Sequence, residues 1–158
     1  MMTETEKAYM AGIIDGEGCI YIDKYKDKRN HTGNYQYVLR VKVAMTCKKT
    51  IKYLYDIVST EFKCYMNIAQ GKKFEDPKMK QAYIFCCNSG GGIKFLQSIY
   101  PYLVTKKKRA KLGIEYGETI FDNRVIGRKG NFLAIPKGIL ETKERIHQEI
   151  RFFNQTGE

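Results

Sequence analysis

Histidine is scarce in this sequence, and the cysteines are not arranged as metal ligands. Only His31 and His147 occur among 158 residues, and the five cysteines include no C-x-x-C pair. A structural zinc site needs about four Cys or His ligands at short spacings, so the sequence excludes one. We expect free, buried thiols rather than disulfides. The cysteines are Cys19, Cys47, Cys64, Cys86 and Cys87.

Long apolar runs are absent as well. No stretch approaches the roughly 18 apolar residues that span a bilayer, and the first residues lack the charged-then-apolar order of a signal peptide. We therefore expect an intracellular, soluble protein of the cytoplasm or an organelle matrix, with no membrane partner. Neither a Ser/His/Asp arrangement nor a phosphate-binding loop of the P-loop type is visible.

Acidic residues are far fewer than basic ones. The chain has 28 Lys and Arg against 17 Asp and Glu, which gives a net charge of +11. This excess predicts a polyanionic partner, either nucleic acid or an acidic membrane surface. The basic residues lie in predicted strands rather than along one amphipathic helix, which favours nucleic acid. The length fits a single domain, residues 1–158, with a real hydrophobic core.

The first predicted helix has two different faces. Thr3 and Glu6 have the spacing of a capping box, so the helix is expected to begin there. Small residues at i, i+3, i+4 and i+7 form one face, which would let a second helix approach closely. These residues are Ala8, Ala11, Gly12 and Asp15. The other face is apolar and can pack on the core of the same chain; it contains Met10, Ile13 and Ile14.

The end of this helix carries the stretch MAGIIDGEG, residues 10–18. Gly16 and Gly18 are expected to adopt backbone angles closed to other residues, which would end the helix and expose Glu17. The stretch resembles the LAGLIDADG motif of homing endonucleases. Glu17 stands where that family has a metal-binding aspartate. The outright matches are Ala11, Gly12, Ile14, Asp15 and Gly18.

The rest of the chain alternates between extended and helical patterns. Period-2 alternation predicts strands at 19–29, 35–45, 63–70 and 80–87. Helical periodicity predicts helices at 48–60, at 93–99, from the basic run 104–111 to about 121, and from Pro136 onward, with loops at 88–92 and 122–135. This order predicts an α+β fold with helices on one side of a four-stranded antiparallel sheet.

The same αββαββα order is that of the LAGLIDADG homing-endonuclease fold, in which the sheet forms a DNA-binding saddle. The resemblance covers about residues 3–120, and we expect residues 122–158 to form a C-terminal helical extension. The resemblance implies a double-strand DNA endonuclease that uses Mg²⁺, with Mn²⁺ or Ca²⁺ able to occupy the same sites.

The resemblance also implies the residues of the active site. Glu17 and the backbone carbonyl of Gly16 would hold the metal. Residues 100–110 look like the family segment that supplies an active-site lysine, which gives that role to Lys106; contact with phosphate or solvent is the alternative. A further polar position of the family falls on Thr46 or Cys47, and the alignment leaves both open.

A single copy of the motif implies a homodimer. Two small helical faces related by a twofold axis would pack together and bring both Glu17 side chains to that axis. Two carboxylates so close together need cations, for which Mg²⁺ is suited. Two subunits would read a near-palindromic double-stranded DNA target of roughly 20 bp.

Polar residues on the outer face of the sheet are candidates for reading DNA bases in the major groove. Arg40 and Lys42 interrupt an apolar strand at alternate positions, so they would lie on that face. Surface lysines can equally be solvated. The predicted DNA-binding residues are Tyr21, Asp23, Tyr25, Lys28, Arg29, Gln36, Arg40, Lys42, Asn67, Gln70, Lys80, Lys107, Lys108 and Arg109.

With the resemblance, these features predict a sequence-specific homing endonuclease, encoded within an intron, that cuts both DNA strands by metal-dependent hydrolysis. The alternative is a non-cleaving relative, either an RNA maturase or a DNA-binding regulator. The carboxylate retained at Glu17 favours the enzyme. A peripheral membrane protein is a third, disfavoured reading.

Overall fold

The computed structural model describes residues 1–26, 35–69, 80–121 and 136–157. Lys28, Arg29, Gln70 and the predicted loop 122–135 lie outside the described residues. The secondary structure, in chain order, is α1 (Glu4–Glu17), β1 (Gly18–Lys26), β2 (Tyr35–Met45), α2 (Lys48–Val58), β3 (Cys64–Ile68), β4 (Tyr83–Asn88), α3 (Ser89–Ile99), a 3₁₀ turn (Tyr100–Tyr102), α4 (Lys107–Phe121) and α5 (Lys137–Thr156). The predicted α+β order is confirmed.

The sheet has four strands in the order β1-β2-β4-β3, and each neighbouring pair is antiparallel. Alternate residues of a strand point to the same side, and the residues that point to the inner side are apolar. Ile20, Leu39, Val41 and Phe85 are fully buried on that side. The helices pack against this inner face, with α2 and α3 on β2 and β4, and with α4 and α5 on β1. The outer face is left for polar side chains.

Helix α1 begins with the predicted capping box. Thr3 Oγ1 accepts a hydrogen bond from the Glu6 amide at 3.2 Å, and the Glu6 carboxylate accepts one from the Thr3 amide at 2.7 Å. Met10 and Ile14 are buried in the core. Ala11, predicted to belong to the small outer face, is instead fully buried within its own chain, because it lies on the same side of the helix as Met10 and Ile14.

The exposed small face of α1 is therefore narrower than predicted. Ala8, Gly12 and Gly16 are exposed, and residues four apart lie on one side of a helix. Asp15 is half-buried. The free small face consists of Ala8, Gly12 and Gly16.

Gly18 ends α1 for a different reason from the one predicted. Its backbone is extended, with φ −77° and ψ 155°, and Gly16 lies within the helix, so neither glycine uses angles closed to other residues. A Cβ on Gly18 would lie 2.7 Å from both the Cα and the carbonyl oxygen of Ile14. Glycine is needed there because the start of β1 lies directly against the last turn of α1.

The predicted loop at residues 88–92 is helical from Ser89 onward. Glycine is unfavourable inside helices, so packing overrules local preference here. A Cβ on Gly91 would lie 2.4 Å from the Lys63 carbonyl oxygen, and one on Gly92 would lie 3.1 Å from the Cys87 carbonyl oxygen. The glycines let the start of α3 contact the backbone around β3 and β4.

Helix α5 covers the edge of the sheet at β1. Ile146 is buried in the core. His147 Nδ1 lies 3.0 Å from the Ile22 carbonyl oxygen, and the Asn154 amide donates to the Ile20 carbonyl oxygen at 3.0 Å. These contacts occupy backbone acceptors of an edge strand that would otherwise be open to pairing with another chain. Neither this helix nor any other described one is long and apolar enough to cross a membrane.

The described cysteines are free thiols, as predicted, but two of them are exposed. Cys86 and Cys87 are buried and Cys64 is half-buried, whereas Cys19 and Cys47 are exposed. Cys19 is exposed because it lies on the outer face of β1, and Cys47 because it lies in the connection between β2 and α2.

The variant Gly18→Ala tests the contact between α1 and β1. Its Cβ would overlap backbone atoms of Ile14, so the free energy of unfolding should fall by about 1–3 kcal/mol, as measured by chemical denaturation. Gly138→Ala is the matched control, because a Cβ there meets nothing within 4 Å. The stability of this variant should equal or slightly exceed that of the wild type. Wild-type stability in Gly18→Ala would contradict this packing.

Candidate active site

The Glu17 carboxylate lies at the junction of α1 and β1. Glu17 is the last residue of the helix, and its side chain is exposed. It lines a groove of about 400 Å³ together with Cys19, Tyr21, Lys42 and Ala44. The strand register pairs Cys19 with Lys42, so the groove runs across the outer faces of β1 and β2. The end of α1 thus brings a carboxylate to one end of the polar sheet face.

Asp15 joins α1 to the segment that carries Lys106. Its carboxylate oxygens accept hydrogen bonds from the amides of Val104, at 2.7 Å, and Lys106, at 2.9 Å. The Thr105 hydroxyl donates to the Asp15 carbonyl oxygen at 3.4 Å. Partial burial would raise the pKa of Asp15, but the hydrogen bonds outweigh it and lower the pKa. The Asp15 side chain, predicted for the dimer face, thus acts within its own chain.

The Lys106 ammonium lies at the C-terminal end of α1. Its Nζ donates to the carbonyl oxygens of Ile14 and Asp15, each at 2.8 Å. These carbonyls belong to the last turn of the helix, where the dipole favours a cation. Burial lowers the pKa of Lys106, and the negative charge of Glu17 is among the groups that oppose this shift. The predicted catalytic lysine and the predicted metal-binding carboxylate therefore lie at the same end of α1.

Oxygen ligands for a divalent cation are available beside this lysine. The Gly16 carbonyl belongs to the last turn of α1, where carbonyls lack a donor within the helix, and the Glu17 carboxylate is exposed. Carboxylate and carbonyl oxygens are the ligands that Mg²⁺ prefers, so this donor set fits a hard cation. In the described part of the chain, no group of three or more His, Cys, Asp or Glu could hold a metal. Further ligands must come from water, phosphate or a second chain.

Thr46 and Cys47 follow β2 at the same end of the sheet as Glu17. The register pairs Gly18 with Val43, so the chain leaves β2 beside the start of β1. The side chains of Thr46 and Cys47 are exposed. The Thr50 hydroxyl donates to Cys47 Sγ at 3.2 Å, and hydrogen bonds from Thr50 lower the pKa of this thiol. Both residues stay candidates for the further polar position.

The predicted DNA-reading residues of β1 and β2 share the outer face of the sheet. Tyr21 is paired with Arg40, and Tyr25 with Gln36. Asp23 Oδ2 accepts a hydrogen bond from Arg40 Nε at 2.7 Å. Burial raises the pKa of Tyr21 to about 12, so its hydroxyl stays protonated at neutral pH and can donate a hydrogen bond.

Two further residues of this face, Tyr65 on β3 and Asn88 at the end of β4, are not predicted from the sequence. Asn88 is paired with Arg40, and the Tyr65 hydroxyl accepts a hydrogen bond from Arg40 Nη1 at 3.3 Å. The signal for Tyr65 is its spacing from the predicted Asn67, because residues two apart in a strand share a face. Asn88 gives no such signal, since the sequence pattern places it in a loop.

The basic run before and within α4 is exposed only in part. Lys107 and Lys108 are exposed, as is Lys80 shortly before β4. Arg109 is only 6% exposed, and its guanidinium donates to the Phe153 carbonyl oxygen of α5 at 2.7 Å. In this structure the Arg109 side chain joins α4 to α5, and its DNA contact stays a prediction.

The fold and the site define a class of protein. An open antiparallel sheet with a polar outer face, and a first helix that ends in an exposed carboxylate at the same end as Lys106, fit an α+β nuclease that binds DNA on its sheet. The family model for LAGLIDADG endonuclease matches residues 10–112, and the chain belongs to that family. No curated protein is similar enough in sequence to count as a relative.

Solved structures show the same fold at low sequence identity. The homing endonuclease I-CvuI, in complex with the I-CreI target and Mg, is 15% identical over 94% of this chain and 82% of that one, with a TM-score of 0.70. The archaeal intron-encoded homing endonuclease I-Vdi141I, complexed with DNA, is 11% identical over 92% and 98%, with a TM-score of 0.57. The LAGLIDADG homing endonuclease I-LtrWI, bound to target DNA, is 16% identical over 94% and 45%, with a TM-score of 0.64.

The variant Asp15→Asn tests the link between α1 and the Lys106 segment. An amide cannot accept hydrogen bonds at both side-chain positions, so the variant should lose about 1–3 kcal/mol of unfolding free energy at pH 7. Because the folded-state pKa of Asp15 is lowered, the wild-type advantage is present above the unfolded carboxyl pKa of about 4 and lost as the pH falls further. Denaturation at a series of pH values measures both effects.

The control for this experiment is Asp56→Asn, which removes an exposed ion pair with Lys52 on α2. Such an exposed ion pair contributes about 0–1 kcal/mol to the free energy of unfolding. A loss in Asp15→Asn no larger than in Asp56→Asn would contradict the proposed link.

Proposed function

We propose that this chain is a homodimeric, sequence-specific homing endonuclease, encoded within an intron, that hydrolyses both strands of its DNA target with Mg²⁺. The observation that carries the proposal is the position of Lys106 Nζ, bound to two carbonyl oxygens at the end of α1, the helix whose last residue is Glu17. Phosphodiester hydrolysis needs positive charge at the phosphate and a ligand for the metal at the same place. Lys106 would supply the positive charge, and Glu17 would supply the metal ligand.

Glu17 and the Gly16 carbonyl would hold the cation, and Mn²⁺ or Ca²⁺ would suit the same oxygen ligands. A bound divalent cation supplies Lewis-acid stabilisation of charge on the phosphoryl oxygens. Lys106 is already held by carbonyl oxygens, so it offers the phosphate a positive charge without reorganisation. The structures of I-CvuI with DNA in the presence of Mg, in which the DNA is not cleaved, and of Ca support divalent cations as the choice of metal.

The free small face of α1 supports the homodimer. Gly12 is exposed, and a Cβ there would meet nothing within 4 Å, so the face has room for a second helix. A twofold contact through this face would bring two copies of Glu17 together. The chain covers 45% of the I-LtrWI chain, which fits two copies of this chain taking the place of one longer protein.

The outer face of the sheet is the proposed DNA surface. Strand β2 has 11 residues, and at ~3.3 Å each it is ~36 Å long, about one turn of B-DNA. Two subunits then cover a near-palindromic site of roughly 20 bp. The groove beside Glu17 is continuous with this face, because Tyr21 and Lys42 line it. DNA bound along the sheet would therefore reach the carboxylate.

The variant Glu17→Gln tests the catalytic role of the carboxylate. A randomised DNA duplex pool, incubated with wild-type protein and Mg²⁺, identifies a cleaved target. On that target, Glu17→Gln should cut at least about a hundredfold more slowly, because the loss of a metal ligand removes several kcal/mol of transition-state stabilisation. Binding should stay at the wild-type level, since the glutamine keeps the size of the side chain.

Glu141→Gln is the matched control, because Glu141 is exposed on α5, where it pairs with Lys137. It should cut at the wild-type rate. A wild-type protein that binds its selected DNA in Mg²⁺ without cutting it would overturn the enzyme proposal and favour the non-cleaving alternative.

The variant Gly12→Leu tests the homodimer. The added side chain fits the isolated chain, where a Cβ at Gly12 meets nothing within 4 Å, but it would hold two α1 helices apart. Sedimentation should show a dimer for the wild type and a folded monomer for Gly12→Leu, with DNA cleavage lost. Gly138→Leu, at an equally open position, should stay dimeric. A dimeric Gly12→Leu protein would contradict the α1 interface.

A further inference from the structure

A chain of polar contacts runs across the outer face and includes all four strands. Arg40 on β2 donates through Nε to Asp23 Oδ2 on β1 at 2.7 Å, and through Nη1 to the Tyr65 hydroxyl on β3 at 3.3 Å. On β4, the Cys86 thiol donates to Asn88 Oδ1 at 3.1 Å. In the strand register Asn88 is paired with Arg40, and Cys86 with Tyr65. We call these five residues the Arg40 network.

The network holds Arg40 more firmly than a surface arginine is usually held. The side chain of Arg40 is 26% exposed, and Cys86, another residue of the network, is 1% exposed. The 2.7 Å contact with Asp23 has the length of a charge-assisted hydrogen bond. Contacts with Asp23 of β1 on one side, and with Tyr65 of β3, beyond β4, on the other, restrict the orientation of the guanidinium. An isolated surface pair, in contrast, loses most of its benefit to side-chain entropy.

These contacts decide which N–H groups Arg40 can offer to DNA. Asp23 takes Nε, and Tyr65 takes one hydrogen of Nη1. The guanidinium carries more N–H donors than these contacts use. With Nε occupied, the pair available to a ligand is at the far end of the side chain, on Nη1 and Nη2. Two coplanar donors at that end match the O6 and N7 acceptors of guanine in the major groove.

We propose that Arg40 forms a guanine-binding subsite, and that Asp23 and Tyr65 are positioning residues that fix its orientation. The inference rests on the proposed function, since it takes the outer face as the DNA surface. Adenine and cytosine each present an amino donor in the major groove, and thymine a single acceptor, so none accepts this donor pair. In a twofold dimer, each half-site of the target then contains one guanine at a symmetric position.

The role of Asp23 differs from that of a base-reading carboxylate. An unpaired carboxylate on this face would repel DNA phosphates, whereas Asp23 is paired with Arg40 at 2.7 Å. Its charge is thereby balanced, and its remaining effect is to direct the guanidinium. We therefore expect loss of Asp23 to change base preference more than it changes the salt dependence of binding.

The test is selection by binding from a randomised DNA duplex pool, with Ca²⁺ in the buffer. Wild-type protein should select one guanine per half-site. Arg40→Gln should reduce that preference by about tenfold to a hundredfold, and Arg40→Lys should keep only part of it, because lysine can donate to guanine but lacks the planar pair of donors. Asp23→Asn and Tyr65→Phe should each reduce it by about tenfold, with the other selected positions unchanged.

Two matched controls separate positioning from folding. Asp56→Asn and Tyr53→Phe make the same chemical changes at exposed positions of α2, away from the sheet, and should keep the guanine preference. Thermal unfolding confirms that each variant is folded. A merely structural role for Asp23 or Tyr65 would weaken binding to all sequences alike and leave the selected base unchanged.

The outcomes distinguish this inference from the proposed function. If wild-type protein selects no sequence at all, the proposed function fails and the subsite fails with it. If the wild type selects a sequence in which no guanine depends on Arg40, the subsite is overturned and the endonuclease proposal stands. If the preference for guanine depends on Arg40 but is unchanged in both Asp23→Asn and Tyr65→Phe, the positioning roles are overturned.

Discussion

The hydrogen bonds between the end of α1 and residues 104–106 are the contacts on which the candidate site depends. The Asp15 carboxylate accepts from two amides directly before α4, and Lys106 Nζ donates to two carbonyls in the last turn of α1. Each of these side chains satisfies backbone groups that a helix end leaves unpaired, and each charge is opposite to that of the helix end it faces. The same contacts that join the two helices therefore hold the ammonium beside Glu17.

This arrangement also explains why a basic run can begin a helix. Positive side chains oppose the dipole at a helix N-terminus, and α4 begins with Lys107 and Lys108. Asp15 supplies the missing negative charge from another helix. The basic residues are then compatible with a stable α4, and the two lysines stay exposed.

Features set by neighbouring residues are predictable from the sequence, and features set by distant contacts are not. The capping box of Thr3 and Glu6 and the bounds of β2 agree with prediction, because spacing alone decides both. The start of α3 does not agree with prediction, because its glycines allow the helix to pack closely against the Lys63 and Cys87 carbonyls. The family resemblance assigns Glu17 and Lys106 to one active site, but the burial of Ala11 and Arg109 depends on how helices pack on the sheet. Tyr65 reaches Arg40 only through the pairing of β3 with β4.

Helix α5 has a consequence for how small this protein could be made. The family model ends at residue 112, yet His147 and Asn154 contact the backbone acceptors of β1, and Ile150 completes the core. A chain shortened after α4 would leave those acceptors and an apolar surface open to water or to another sheet. The smallest autonomous scaffold therefore includes the last helix, and a shorter nuclease of this architecture would need a substitute for it.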